Sequence, residues 1–171
     1  MTRQTSSSEL TFESIFRDYG RGLYAFMFRM SGNQHDAEDL TQETFITIAR
    51  KLPTFNGDSS LKTWIYSIAI NKYRDSLRYD RIRAHDQIDE NRTLSSQNPL
   101  DDYMAQETED RIRTAFYGLT EHYRAAFALV RFEGMTYKEA AQALGTTLET
   151  LRMRVHRAHL MLAERLKDTR K

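Results

Sequence analysis

Apolar residues recur three and four positions apart along almost the whole chain, and this period narrows the available folds more than any other feature. Strand-like alternation is missing, and the only prolines are Pro53 and Pro99, so an all-α protein is predicted. From Leu10 onward, Phe12, Ile15, Phe16, Tyr19, Leu23, Phe26, Met27 and Met30 keep the helical step and stop at Ser31-Gly32-Asn33. That pattern predicts one long helix or a broken pair, followed by a turn. A second helix is predicted from about His35-Asp36 through Leu40, Phe45, Ile48 and Leu52 to Pro53, with acids early and Arg50-Lys51 late, as the helix dipole prefers. The stretch 54–60, with Gly57-Asp58, reads as a loop. A third helix then carries Trp64, Ile65, Ile68, Ala69, Tyr73 and Leu77 from about Leu61 to about Arg83.

The pattern changes after residue 83. Residues 86–110 hold eight acidic side chains against one arginine and include the polar run Asn91 to Asn98 before Pro99, which reads as an acidic, flexible linker. Helical spacing resumes over Glu109 to Tyr117, His122 to Glu133, Thr136 to Leu144 and Thr147 to Lys167, as in a compact bundle with brief turns. The predicted organisation is therefore a first helical domain over 10–83, a linker over 84–107 and a second helical domain over 108–171.

Within the second domain, Thr136-Tyr137-Lys138-Glu139 has capping-box spacing, and Gly145 suits a left-handed helix end. Thr146-Thr147-Leu148-Glu149 repeats the capping-box spacing, with Glu149 as its acid. Helix, glycine-containing turn, helix is the helix-turn-helix layout. On the second of these helices Leu148, Leu151, Val155, Ala158 and Leu162 share one sector. Glu149, Met153, His156, Arg157 and Leu160 lie opposite, and Arg152 and Arg154 flank the stripe. Residues 150–171 carry seven basic and two acidic side chains, a charge that can neutralise phosphates while the first turns of the helix reach base edges. A basic helix that merely closes a bundle would show the same two faces.

Several chemistries are excluded or disfavoured. No cysteine occurs, which rules out disulfides, zinc–thiolate sites and thiol catalysis, and suits a reducing cytoplasm. Met1 to Glu9 is polar, and no apolar run reaches the length of a membrane span, so a soluble cytoplasmic protein without membrane insertion is expected. The histidines His35, His85, His122, His156 and His159 lack metal-site spacing and there is no glycine-rich phosphate loop. No catalytic residue, metal or cofactor is therefore assigned. With 25 basic against 24 acidic residues, affinity for nucleic acid must come from charge placement rather than net charge.

Three motifs in order carry a family resemblance. Asp36-Ala37-Glu38-Asp39-Leu40-Thr41-Gln42-Glu43-Thr44-Phe45 resembles the core-polymerase-binding segment of bacterial sigma factors. Phe55-Asn56-Gly57-Asp58 and Leu61-Lys62-Thr63-Trp64-Ile65-Tyr66-Ser67-Ile68-Ala69-Ile70-Asn71 are similar to their promoter-melting segment. Glu133-Gly134-Met135-Thr136-Tyr137-Lys138-Glu139-Ala140-Ala141 and Thr150-Leu151-Arg152-Met153-Arg154-Val155-His156-Arg157-Ala158 resemble their second conserved domain. The resemblance is to the extracytoplasmic function class of the sigma-70 family and covers about 10–83 and 108–167. It implies a bundle like sigma region 2 and a helix-turn-helix like region 4. Its partners would be RNA polymerase core (the clamp helices of the largest subunit and the flap of the second), promoter DNA, and an anti-sigma factor.

The resemblance also implies residue roles. Asp39, Gln42, Glu43 and Phe45 stand where the class grips polymerase, although Phe45 could equally be core. Asn71 stands where the flipped minus-ten base is read, and its amide offers both donors and an acceptor to a base edge. The loop with Asn56 would wall that pocket, and Lys62, Lys72, Arg74 and Arg78 would meet phosphates of the opened strand. Trp64 could stack on a base or anchor the core. Arg152, Met153, His156 and Arg157 match the minus-thirty-five contacts, arginine suiting guanine and Met153 offering only an apolar surface such as a partner for a thymine methyl. Thr147 and Glu149 depart from the commoner proline and glycine of the class. The competing reading is a helix-turn-helix regulator acting without polymerase, which would need a dimer seam that the sequence does not display.

Overall fold

The computed structural model describes residues 10–86 and 103–167; the side chains of 83–86 and 103–108 are not part of that description. Seven α-helices and one short 3-10 turn make up the described residues, and no strand occurs among them.

The first domain contains α1 (Phe12–Ser31), α2 (Gln34–Lys51) and α3 (Leu61–Asp86). Thr11 opens α1 with a capping box shared with Ser14, and the left-handed Gly32 closes it, donating its N–H to the carbonyl of Phe28. The first helix is thus unbroken. Asn33 then caps α2 by accepting from the Asp36 N–H at 2.8 Å. Because only Gly32 and Asn33 separate the two helices, α1 must fold back along α2. Most of the apolar stripe faces inward: Ile15, Leu23, Phe26, Met27 and Met30 of α1 and Leu40 and Ile48 of α2 are buried against Ile65, Ala69 and Ile70 of α3, whereas Phe16, on the same stripe, is 56% exposed. Each of the larger of these buried side chains contributes about 1.5–3 kcal/mol on removal from water. The two buried threonines are satisfied: Thr44 donates to the Leu40 carbonyl and the Thr63 hydroxyl meets Ser60 Oγ.

The second domain contains α4 (Tyr103–Tyr117), α5 (Glu121–Arg131), α6 (Tyr137–Leu144) and α7 (Leu148–Lys167). Ala125, Ala126 and Ala128 let α5 approach closely, and Leu129, Leu151, Val155 and Ala158 fill the space between α5 and α7.

The helix ends differ from the sequence expectation in physically readable ways. The third helix runs to Asp86 and the fourth begins at Tyr103, so helix occupies both margins of the segment read as linker; its middle, 87–102, lies outside the described residues. The fifth stops at Arg131 because Gly134, at φ 63°, turns the chain. Thr147 rather than Thr146 caps α7, accepting from the Thr150 N–H at 3.1 Å. Glu149 is therefore not the capping-box acid; Thr150 holds that position and its hydroxyl meets that of Thr147.

The two domains lie against each other. Helix α3 packs on α6, and the buried apolar residues of both domains form one continuous cluster.

Candidate polymerase and promoter interfaces

Helix α2 presents Asp39, Gln42 and Glu43 to solvent. Asp39 lies 3.5 Å from His35, both exposed, and Glu43 lies 3.8 Å from the half-buried Lys72; both are loose pairs of small energetic weight. Phe45 behaves differently. It is only 5% exposed, standing edge-on to Phe12 at 6.0 Å and 4.9 Å from Phe16. Phe45 is therefore a core residue of the first domain with little surface to offer a partner. The exposed apolar side chains beside it are Phe16 (56%) and Ile46 (51%), which with Phe12, Gln42, Phe45 and Arg50 wall an apolar groove of about 710 Å³. Sequence reasoning did not single out Phe16 and Ile46 for this role. The available signal was that α1 and α2 carry a wider apolar stripe than one packed face can bury.

At the promoter-melting segment, Phe55 lies 5.0 Å from the half-buried Trp64, so the indole joins the loop to α3. The loop itself is an Asx turn: Asn56 Oδ1 accepts from the Asp58 N–H at 3.3 Å around Gly57, whose φ of 80° favours glycine. Ser60 caps α3 through the Thr63 N–H. Immediately after the buried Ile68, Ala69 and Ile70, Asn71 is exposed on α3. The four basic side chains differ in their present partners. Arg78 is exposed with Asp75 at 3.7 Å, and Lys72 has its loose pairing with Glu43. Lys62, by contrast, donates to the backbone carbonyl of Glu133, and Arg74 meets Glu121 Oε1 at 3.3 Å and the Leu144 carbonyl at 3.4 Å. All three of these partners belong to the second domain.

The same seam holds a cluster that the sequence did not announce. Glu133, with a side chain 8% exposed, takes Arg29 on one oxygen at 2.9 Å and the Tyr66 hydroxyl on the other. Burial, and then the Glu133 carboxylate, push the Tyr66 phenol far above its ordinary pKa, so it stays a donor. Tyr117 donates to the Phe28 carbonyl, and Arg124 to the hydroxyl of Tyr73. No periodicity or spacing links residues about a hundred positions apart, such as Arg29 and Glu133.

In the helix-turn-helix, Thr136 and Glu139 form the predicted capping box, and their hydrogen bonds hold the Glu139 carboxyl below its usual range. Gly145 closes α6 at φ 62°, ψ 41°. Leu151, Val155 and Ala158 of α7 are buried, while Met153, His156 and Arg157 are exposed on the opposite side with Arg152 exposed at its edge. That is the division a helix needs if one side packs and the other reads a groove.

Family comparisons agree with this geometry. The family model for Sigma-70 region 2 matches residues 15–83, and that for Sigma-70 region 4 matches residues 109–162. The ECF RNA polymerase sigma factor EcfG of Rhodopseudomonas palustris is 32% identical over 82% of this chain and 77% of its own length. The chain belongs to the extracytoplasmic function (ECF) class of sigma-70 factors.

A second ECF sigma factor, SigE of Mycolicibacterium smegmatis, is 31% identical over 91% of this chain, which spans 62% of that protein's length. The solved structure of the sigma factor RpoE with the anti-sigma factor NepR from Bartonella quintana superposes with a TM-score of 0.75 at 27% identity, covering 93% of this chain and 98% of that one. This ECF sigma factor is accordingly a promoter-specific transcription initiation factor of RNA polymerase rather than an enzyme. No helix among the described residues is long and apolar enough to cross a membrane.

Proposed function

We propose that the first domain, within 10–83, docks on polymerase core and opens the minus-ten element, while the second, within 108–171, reads the minus-thirty-five duplex. The acidic segment between them would follow the polymerase channel that nucleic acid otherwise occupies. The observation that carries the division of labour is the exposure of two separate reading surfaces. Asn71 with its flanking cations sits on α3, and Arg152, Met153, His156 and Arg157 form a row on α7. Two weak readers on one chain accumulate specificity through effective concentration.

On the polymerase side, Gln42 lines the groove of Phe16, Phe45 and Ile46, and Asp39 and Glu43 are exposed on the same helix outside its lining, matching an interface with a desolvated apolar centre. The partner surfaces are the clamp helices of the largest subunit and the flap of the second. At the minus-ten element Asn71 reads the flipped base, the loop with Asn56 walls its pocket, and Lys62, Lys72, Arg74 and Arg78 hold phosphates. Trp64 supports that loop through Phe55. At the minus-thirty-five element Arg152 and Arg157 pair with guanine edges and Met153 meets a thymine methyl. The protein works in the cytoplasm under an anti-sigma factor; a structural relative captured with such a partner supports this part of the reading.

The test is transcription in vitro with core polymerase and a genomic promoter pool. The wild type is expected to start transcripts at promoters sharing two spaced elements. Asn71→Ala is expected to lose selectivity at the minus-ten element and Arg157→Ala at the minus-thirty-five element. A protein that binds duplex DNA yet neither binds core nor directs initiation refutes the proposal.

A further inference from the structure

We propose that Asn56-Gly57 is a self-modification site: the Gly57 amide closes on the Asn56 side chain, and the carboxylate that results weakens the chain's hold on the opened promoter strand. The functional half of this rests on the assignment of the Asn56 loop to the wall of the minus-ten pocket; the chemical half stands without it.

Ring closure requires the backbone nitrogen of the following residue to reach the asparagine side-chain carbon, and glycine is the residue that lets a backbone be approached so closely. Asn56 is the only asparagine of the chain that glycine follows. The loop leaves the approach open: Asn56, Gly57 and Asp58 are exposed, a Cβ added to Gly57 would meet no atom within 4 Å, and the Gly57 N–H donates to no acceptor among the described residues. The Asx turn also folds the amide back over the Gly57 peptide. Asn56 Oδ1 takes the Asp58 N–H at 3.3 Å, which places a donor on the oxygen that becomes negative as the nitrogen attacks. Nδ2 donates to Asp58 Oδ2 at 2.5 Å, which holds a carboxylate beside the nitrogen that must leave, where it can relay a proton. The other asparagines in described segments lack this opening. Asn33 is half-buried and precedes Gln34, whose Cβ obstructs the nitrogen, and Asn71 lies inside α3, where backbone N–H groups are committed to the helix.

The chemistry balances with water alone. The Gly57 nitrogen bonds to Asn56 Cγ, its proton passes to Nδ2 through the Asp58 carboxylate, the Cγ–Nδ2 bond breaks and ammonia leaves. Water then opens the cyclic imide at one of its two carbonyls, giving aspartate or isoaspartate, the latter with an extra methylene in the main chain. Either product replaces the Nδ2 donor by a carboxylate, so the contact that closes the turn onto Asp58 becomes a repulsion between two acids. The wall of the minus-ten pocket then carries one more negative charge where phosphates of the opened strand must pass. A like charge so placed is expected to weaken strand capture roughly fivefold, and less at high salt.

Conversion can be read without ambiguity, because trypsin releases the peptide 52–62, in which Asn56 is the sole side-chain amide. The full chain is incubated at 37 °C, at pH 7 and at pH 9, beside a synthetic peptide of the same residues, and the mass of 52–62 is followed. Asn56 is expected to convert before any other asparagine of the chain, faster at the higher pH, and at least as fast in the folded chain as in the peptide. Slower conversion in the folded chain means that the loop must first open, and overturns the chemical half. Asp58→Ala is expected to slow conversion; an unchanged rate overturns the proton relay.

For the functional half, holoenzyme assembled from fresh or aged chain is bound to a promoter fragment with an unpaired minus-ten strand. Aged wild type and fresh Asn56→Asp are both expected to bind roughly fivefold more weakly than fresh wild type. Asn56→Gln, whose longer side chain closes the ring poorly, is expected to show equal affinity before and after ageing, whatever its starting value. Should that variant fail to assemble, Gly57→Ala is the second route, and it must slow both conversion and the loss of binding. Conversion of 52–62 without loss of binding, or loss on ageing in Asn56→Gln, overturns the link between the two. A chain that does not bind core refutes the proposed function and the functional half with it, whereas the peptide map is read independently of polymerase.

Discussion

Replacing Gly145 isolates the contribution of one backbone conformation to the helix-turn-helix. Its φ of 62° and ψ of 41° lie in the left-handed region, and a Cβ placed there meets no atom within 4 Å. Any cost of Gly145→Ala is therefore conformational rather than steric. The left-handed conformation costs an L residue about 1–2 kcal/mol, and the lower entropy of the unfolded alanine chain offsets about 0.4–1 kcal/mol of that. The net loss is about 1 kcal/mol, which for a chain of this size lowers the melting temperature by about 2–4 °C. Gly145→Asn should cost less because asparagine tolerates this region, and Gly145→Val more because branching at Cβ worsens the clash with the backbone. Thermal and urea unfolding of the four proteins supply the measurement. The turn also directs α7, since the Gly145 and Thr146 N–H groups bond back to the carbonyls of Gln142 and Ala141. Duplex binding by the folded fraction should nevertheless be unchanged for alanine, which can still make those bonds. An order other than Asn, Ala, Val, or an alanine variant as stable as the wild type, refutes the reasoning.

Phe16→Ala and Ile46→Ala should each weaken binding to core polymerase roughly tenfold, read by fluorescence anisotropy; Ile46→Ala should leave stability within about 0.5 kcal/mol because the side chain is exposed, and Phe16→Ala should cost about 1 kcal/mol because its ring covers Phe45. Leu151→Ala removes a fully buried side chain of α7 and should cost about 2–5 kcal/mol, with duplex binding lost in step with urea unfolding. Glu139→Ala should destabilise by about 1 kcal/mol at neutral pH through loss of the capping box. Because the folded pKa of Glu139 lies below the ordinary 4.5, the wild type's advantage is full above that value and fades as pH falls through the depressed pKa; urea unfolding of both proteins from pH 7 to pH 3 measures it.

How much was legible before the structure follows from the range of each interaction. Capping boxes, the Gly32 and Gly145 helix ends and the apolar period are written within a few residues of one another, and helix formation responds to that range. Boundaries shifted where two local solutions competed, as at Thr146 and Thr147, either of which can begin a cap. The exposed row of Arg152, Met153, His156 and Arg157 was also legible, because one helix fixes which residues share a side. Phe45 was not: the α2 sequence cannot say that Phe12 and Phe16 of another helix cover its ring and leave Phe16 and Ile46 outermost.

The sequence by itself determined that the chain is helical, that it has two domains on either side of an acidic segment, and which sigma-factor motifs they carry. Only the tertiary structure decided that Lys62 and Arg74 are held by the second domain, and that Arg29, Tyr66 and Glu133 meet at all. The physical reason is that helix patterning depends on neighbours within one or two turns. Charged side chains are satisfied instead by whatever packing brings near them, and no periodic signal along the chain records that choice.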